Sequence, residues 1–204
     1  MKIKLVVAAA GAAAVAGCAS MMYTPPTKEE TLSVIKSSFK DRGIAKVDRL
    51  NQTELQRICS ETNNHPPKDV RERLEKAALA SVKYPTDGKW LGDYKSGEKI
   101  AQTGRGLQWN DKAGDPAGGN CYACHQLSKA EISFGNIGPS LYNYGKLRGN
   151  TEQTLRYTWA KIWNAHSFNA CSAMPRFGDA GILTEAQIKD VMALLLDPAS
   201  PVNQ

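Results

Sequence analysis

Cys121, Cys124 and His125 are the side chains best equipped for chemistry, and they stand together as Cys121-Tyr122-Ala123-Cys124-His125. Thiols three positions apart fall on the same side of a helical turn, and an imidazole follows at once. Cys-x-x-Cys-His is the attachment signature of c-type haem, in which the thiols bond the vinyl-derived carbons on one porphyrin edge and the histidine meets the iron from one face. One covalently bound haem c is therefore expected. A structural zinc site needs four ligands, and no second Cys-x-x-Cys accompanies the first. A thioredoxin-like dithiol needs a βαβ setting, whereas this motif follows the Gly/Pro-rich stretch 114–120. The plain alternative is a reduced or disulfide-bonded dithiol. Haem c is attached outside the bacterial cytoplasm, so the motif also implies export.

With His125 on one face of the iron, a second axial ligand is sought elsewhere. Met174 is the favoured residue, in the loop Ser172-Ala173-Met174-Pro175-Arg176-Phe177-Gly178. Pro175 biases the preceding residue towards an extended backbone, which lets a loop present a thioether. His166 is the rival, and bis-histidine ligation would lower the potential. Met192 lies on an apolar helical stripe, where methionine is usually core filler. An axial imidazole keeps its orientation by donating its other N–H to a carbonyl, and Pro139, after Gly138, is placed to accept it. Tyr142, Tyr144, Arg148 and Arg176 read either as contacts to the haem propionates or as exposed polar residues. His65, among Asn and Pro, reads as a surface histidine.

Five cysteines divide into Cys18 near the start, the haem pair, and Cys59 with Cys171. In an oxidising compartment the even remainder favours a Cys59–Cys171 disulfide. Two buried thiols, or a reactive Cys171, are the alternatives. Met1-Lys2-Ile3-Lys4 followed by an apolar run over 5–15 reads as an export signal, too short for a permanent span. Two endings compete within residues 1–20. Ala14-Val15-Ala16 fits a peptidase site, and Val15-Ala16-Gly17-Cys18 resembles a lipobox with cleavage before Cys18 and a lipid anchor on it. The expected location is the periplasm, free or anchored through Cys18.

The elements that must position these residues read as helices. Thr27 with Glu30 forms a capping box, with Leu32, Ile35 and Phe39 on one face and a stop at Asp41-Arg42-Gly43. Helices follow near 53–61 and after Pro67, the latter ending by Tyr84-Pro85. Residues 93–103 make a helix whose Gly97 and Ala101 permit close approach of a neighbour. Residues 126–150 show low regularity. Thr151 caps a helix carrying Trp159 and Trp163 as packing residues. Thr184 and Gln187 cap another with Ile188, Val191, Met192 and Leu195 on one side, ended by Asp197-Pro198. No strand is predicted. The organisation is all-α, with an N-terminal helical extension over 21–88 and a haem domain over 89–200. A formal net charge of +6, with 26 basic and 20 acidic residues interspersed, is no nucleic-acid footprint. It suits docking to an acidic redox partner.

Gly97-Glu98, Cys121 to His125, Gly138-Pro139 and Met174-Pro175, between first and last helices, resemble the class I cytochrome c fold. More narrowly, Gly119-Asn120-Cys121-Tyr122-Ala123-Cys124-His125, Gly135-Asn136-Ile137-Gly138-Pro139-Ser140-Leu141 and Cys171-Ser172-Ala173-Met174-Pro175-Arg176-Phe177-Gly178 resemble the SoxX family, monohaem subunits of the SoxAX complex of bacterial thiosulfate oxidation. The resemblance implies a SoxA-like partner that joins thiosulfate to a cysteine of the SoxYZ carrier. It implies that this chain relays the electrons to a downstream cytochrome c. On that reading the chain has no catalytic residue of its own. A free-standing carrier to a terminal oxidase is the alternative, and a haem sensor or peroxidase is a third class that an open sixth position would require.

Overall fold

The computed structural model describes residues 24–204, so the leader and Cys18 lie outside the described residues. Helix α1 spans Lys28–Ser38, opened by the expected capping box: Thr27 accepts from the Glu30 N–H, and the Glu30 carboxylate accepts from the Thr27 N–H at 2.8 Å. It stops at Ser38, short of Asp41-Arg42-Gly43, because Phe39 is already extended. Leu32 and Phe39 are exposed, and no residue of α1 is buried. The chain divides into two compact units after Lys40, and the second is Asp41–Gln204.

Within the second unit α2 spans Glu54–Glu61 and α3 spans Lys68–Ala80. Thr53 and Gln56 form a further capping box, and Pro67 occupies the N-cap of α3. Helix α3 ends at Ala80 rather than at Tyr84-Pro85. Ser81 supplies the reason: its N–H bonds to carbonyls of the last turn. Helices α4 (Tyr94–Gln102), α5 (Tyr144–Arg148), α6 (Glu152–Trp163) and α7 (Glu185–Leu196) follow. Asp93, Thr151 and Thr184 cap α4, α6 and α7, and α7 stops at Asp197 before Pro198 as expected. Among the described residues there is no strand, only an isolated bridge between Arg42 and Ala45. Residues 41–88, read from sequence as part of the extension, fold in the same unit as 89–200.

The core forms where α4 meets α7. Gly97 and Ala101 are the buried face of α4, and a Cβ at Gly97 would stand 2.1 Å from the Asp190 carbonyl oxygen, so only glycine lets the helices approach this closely. Helix α7 is buried along most of its length: Ile188, Met192, Ala193 and Leu194 are inaccessible. Met192 is thus core filler. Trp159 is also inaccessible and stacks on Trp163 with centroids 6.1 Å apart, while Trp90 meets it edge-on at 6.0 Å. Its indole N–H donates to the Lys83 carbonyl at 2.8 Å, so the packing role expected of these tryptophans holds.

Candidate haem site

Short backbone bonds build the cysteine–histidine turn. Asn120 is left-handed (φ 46), which turns the chain into a 3-10 helix over Cys121–Ala123. The N–H groups of Cys124 and His125 both donate to the Cys121 carbonyl, at 3.1 and 2.9 Å. The approach to the turn is pinned to the end of α4, with Gly119 N–H on the Ile100 carbonyl and Asn120 N–H on that of Thr103. The following loop folds back on the turn, Gly135 N–H meeting the Tyr122 carbonyl and Gly138 N–H the Cys124 carbonyl, each at 2.8 Å. Buried Tyr122 and Leu127 root the turn in the core.

His125 is the most constrained side chain of the group. Its Nδ1 lies 2.7 Å from the Pro139 carbonyl oxygen. A carbonyl only accepts, so Nδ1 carries the proton and Nε2 keeps its lone pair for a metal. A Cβ at Gly138 would stand 2.1 Å from His125 Cε1, so the loop cradles the ring at a distance only glycine allows.

Cys121 and Cys124 are free thiols, whereas Cys59 and Cys171 form the expected disulfide with Cα atoms 5.6 Å apart. Burial pushes the Cys121 thiol up to about 12, with Cys124 adding to the rise. A redox Cys-x-x-Cys needs the opposite, a stabilised thiolate. A thiol held protonated in this way is a poor redox nucleophile.

Met174 is half-buried and packs against the same core cluster as Cys121, Tyr122 and Leu127, in a loop whose start is fixed by Met174 N–H donating to Ser172 Oγ at 3.2 Å. The rival His166 is buried, with Nε2 3.3 Å from the Ser172 carbonyl oxygen, so its ring is engaged with the loop that carries Met174. Burial pushes its imidazole below the usual value. The residues weighed as propionate contacts have other partners. Tyr142 donates to the Gln204 carbonyl, Tyr144 bonds Thr158 Oγ1, Arg176 pairs with Asp179 at 3.1 Å, and Arg148 lies over the Tyr144 ring. His65 is exposed, with Nδ1 against the Asn63 carbonyl.

Residues 94–197 match the family described as Cytochrome c. The chain belongs to the cytochrome c family. Its all-α architecture is that of a class I cytochrome c-like domain. An uncharacterized lipoprotein of Aquifex aeolicus (strain VF5) is 39% identical over 155 residues, covering 75% of this chain and 73% of that protein. Cytochromes c carry covalently bound haem c, and the geometry fits that group. Two unpaired thiols flank a turn that ends in a histidine with Nε2 open. Trp163 Nε1 is, moreover, a buried donor with no acceptor among the described residues. The sequence offered no signal for that N–H, because it depends on where α6 ends in space.

Proposed function

We propose that this chain is a monohaem electron-transfer subunit of SoxX type, exported and anchored through Cys18. Cys121 and Cys124 would hold the haem covalently, and His125, its ring fixed by Pro139, and Met174 would ligate its iron. Bound in this way the haem stores and releases one electron at a time. The observation that supports the reading is the Pro139-oriented His125 of the cysteine–histidine turn, together with the packing of Cys121 and Met174 against one core cluster. With two side chains as iron ligands the haem would have no position open to a substrate, which would favour electron transfer over a sensor or peroxidase role.

The three passages resembling SoxX support a place beside a SoxA-like cytochrome. That partner would join thiosulfate to a SoxYZ cysteine with loss of two electrons. This chain would pass them singly to a downstream cytochrome c. The name of the Aquifex relative supports the lipobox reading of Val15-Ala16-Gly17-Cys18.

Two experiments test this. Affinity capture of the tagged chain from thiosulfate-grown cells, with haem staining, should yield a second cytochrome. Capture of a terminal oxidase alone would instead indicate a free-standing carrier. Cys18→Ser should move the protein from the membrane to the soluble periplasmic fraction, and an unchanged distribution would remove the anchor.

A further inference from the structure

Met174 is held by more than its own loop. Residues 169–174 are fixed at four consecutive points. Ala170 N–H donates to Glu75 Oε1 of α3 at 3.2 Å, and Cys171 is bonded to Cys59 of α2, 112 positions upstream. The Ser172 carbonyl meets His166 Nε2 at 3.3 Å, and Ser172 Oγ receives the Met174 N–H at 3.2 Å. Beyond the methionine, Asp179 Oδ1 accepts from the Ser81 hydroxyl just past α3, at 3.0 Å, and Asn164 Nδ2 donates to that same hydroxyl at 3.1 Å. Trp159 Nε1 reaches Lys83 from the next turn of α6. The segment 54–83 thus grips the methionine loop on both sides of Met174.

We infer that α2 and α3 form a clasp whose fixed points, Glu75 and the Cys59–Cys171 disulfide, are positioning residues that keep Met174 on the iron. This rests on the reading of Met174 as the axial ligand. A loop opens locally with a free energy set by the contacts that must break. A thioether is a neutral ligand that exogenous ligands can displace once its loop swings away. Here swinging away means parting from a carboxylate–amide bond and a covalent cross-link. Glu75 also faces the Lys161 ammonium, so its charge and its hydrogen bond have to be separated by experiment.

The test uses the oxidised holo-protein and imidazole as the displacing ligand. Its readouts are the far-red absorption band of Met–Fe(III) coordination and the rate of imidazole binding. Glu75→Ala removes the acceptor, while Glu75→Gln keeps an acceptor and discards the charge. An amide N–H left without its acceptor predicts imidazole binding about tenfold faster or more in Glu75→Ala. Glu75→Gln should stay near wild type, and Cys59→Ser/Cys171→Ser should bind imidazole faster still. Should the double variant not accumulate, the glutamate pair decides alone. Wild-type rates in a folded Glu75→Ala would overturn the clasp, as would equal acceleration in Glu75→Gln, which would assign the effect to charge. Retention of the far-red band in Met174→Ala would overturn the ligand assignment itself, a result distinct from either.

Discussion

Gly97 on α4 lies against the backbone carbonyl of Asp190 on α7, with Leu194 Cβ 3.0 Å from where a side chain at position 97 would begin. Neither obstacle can move aside, since one is helix backbone and the other sits inside the core. Gly97→Ala must spread the two helices. Overpacking of this kind costs about 1–3 kcal/mol, even after the helix-propensity gain of alanine. For a chain of this size that lowers the melting temperature by roughly 2–4 °C per kcal/mol. A scan of the holo-protein showing no drop would mean that the helices do not touch at this point.

Gly138→Ala places a methyl group inside the His125 ring, 2.1 Å from Cε1. The ring must rotate off the Pro139 carbonyl, which weakens the donor strength and the orientation of Nε2 together. Loss of such an orienting partner changes metal affinity by about tenfold or more. If the two iron oxidation states feel that loss by one decade of difference, the midpoint potential moves by about 60 mV. Redox titration of the purified variant measures it directly.

Asn203, the penultimate residue of the sequence, ties the start of α5 to the end of α7. Its Oδ1 accepts from the N–H groups of Gly145 and Lys146 at the start of α5, at 2.9 and 3.2 Å. Its Nδ2 donates to the carbonyls of Leu195 and Asp197 at the end of α7, at 3.1 and 2.9 Å. Asn203→Leu fills the space but strands those four groups at helix ends. A loss of about 4 kcal/mol or more is expected, since each of the four groups left unsatisfied costs about 1–3 kcal/mol. Urea denaturation monitored by circular dichroism would report it.

His166 makes stability depend on pH. Burial holds its imidazole below the ordinary 6.5, although the Ser172 carbonyl opposes the shift. The unfolded chain therefore binds the proton more readily than the folded one. The stabilising contribution is complete above about pH 6.5 and is lost as pH falls through the depressed folded value. His166→Gln should flatten that part of the stability profile. Denaturant melts across the acid-to-neutral range would show it, and identical slopes in the two proteins would discount His166 as the titrating group.

Thr184→Ala removes the hydroxyl that accepts the Gln187 N–H at 3.3 Å, while the Thr184 N–H keeps its bond to Gln187 Oε1. The expected cost is about 1 kcal/mol, with recovery in Thr184→Ser. Thermal scans of the pair would separate loss of the cap from loss of the methyl group.

The helices that could be read from sequence are those whose ends are written locally. Thr27, Thr151 and Thr184 each cap a helix with their own side chains, and the spacing to Glu30 or Gln187 is visible in the residues. Helix α5 was hidden for the converse reason. It begins at left-handed Asn143 without a side-chain cap, ends at Gly149, and is held by Asn203 from far along the chain. In the haem turn, Cys121, Cys124, His125 and the bond to Pro139 were all legible because they lie within nineteen positions of one another. What could not be read was which histidine was already committed. Only the burial of His166 against Ser172 separates it from a free imidazole. The grip of Glu75 on Ala170 likewise has no sequence signature, since nothing near residue 75 marks it as the partner of a loop ninety-five positions away.

The bridge between Cys59 and Cys171 straddles the haem thiols along the chain. As the polypeptide emerges amino end first, Cys59 meets Cys121 and Cys124 before its native mate arrives. An oxidant acting in order of appearance would couple the wrong sulfurs. Either the porphyrin reaches Cys121 and Cys124 early and takes them out of circulation, or a mispaired bridge must be reshuffled. Maturation of this molecule is therefore a contest over four thiols, decided by timing as much as by geometry.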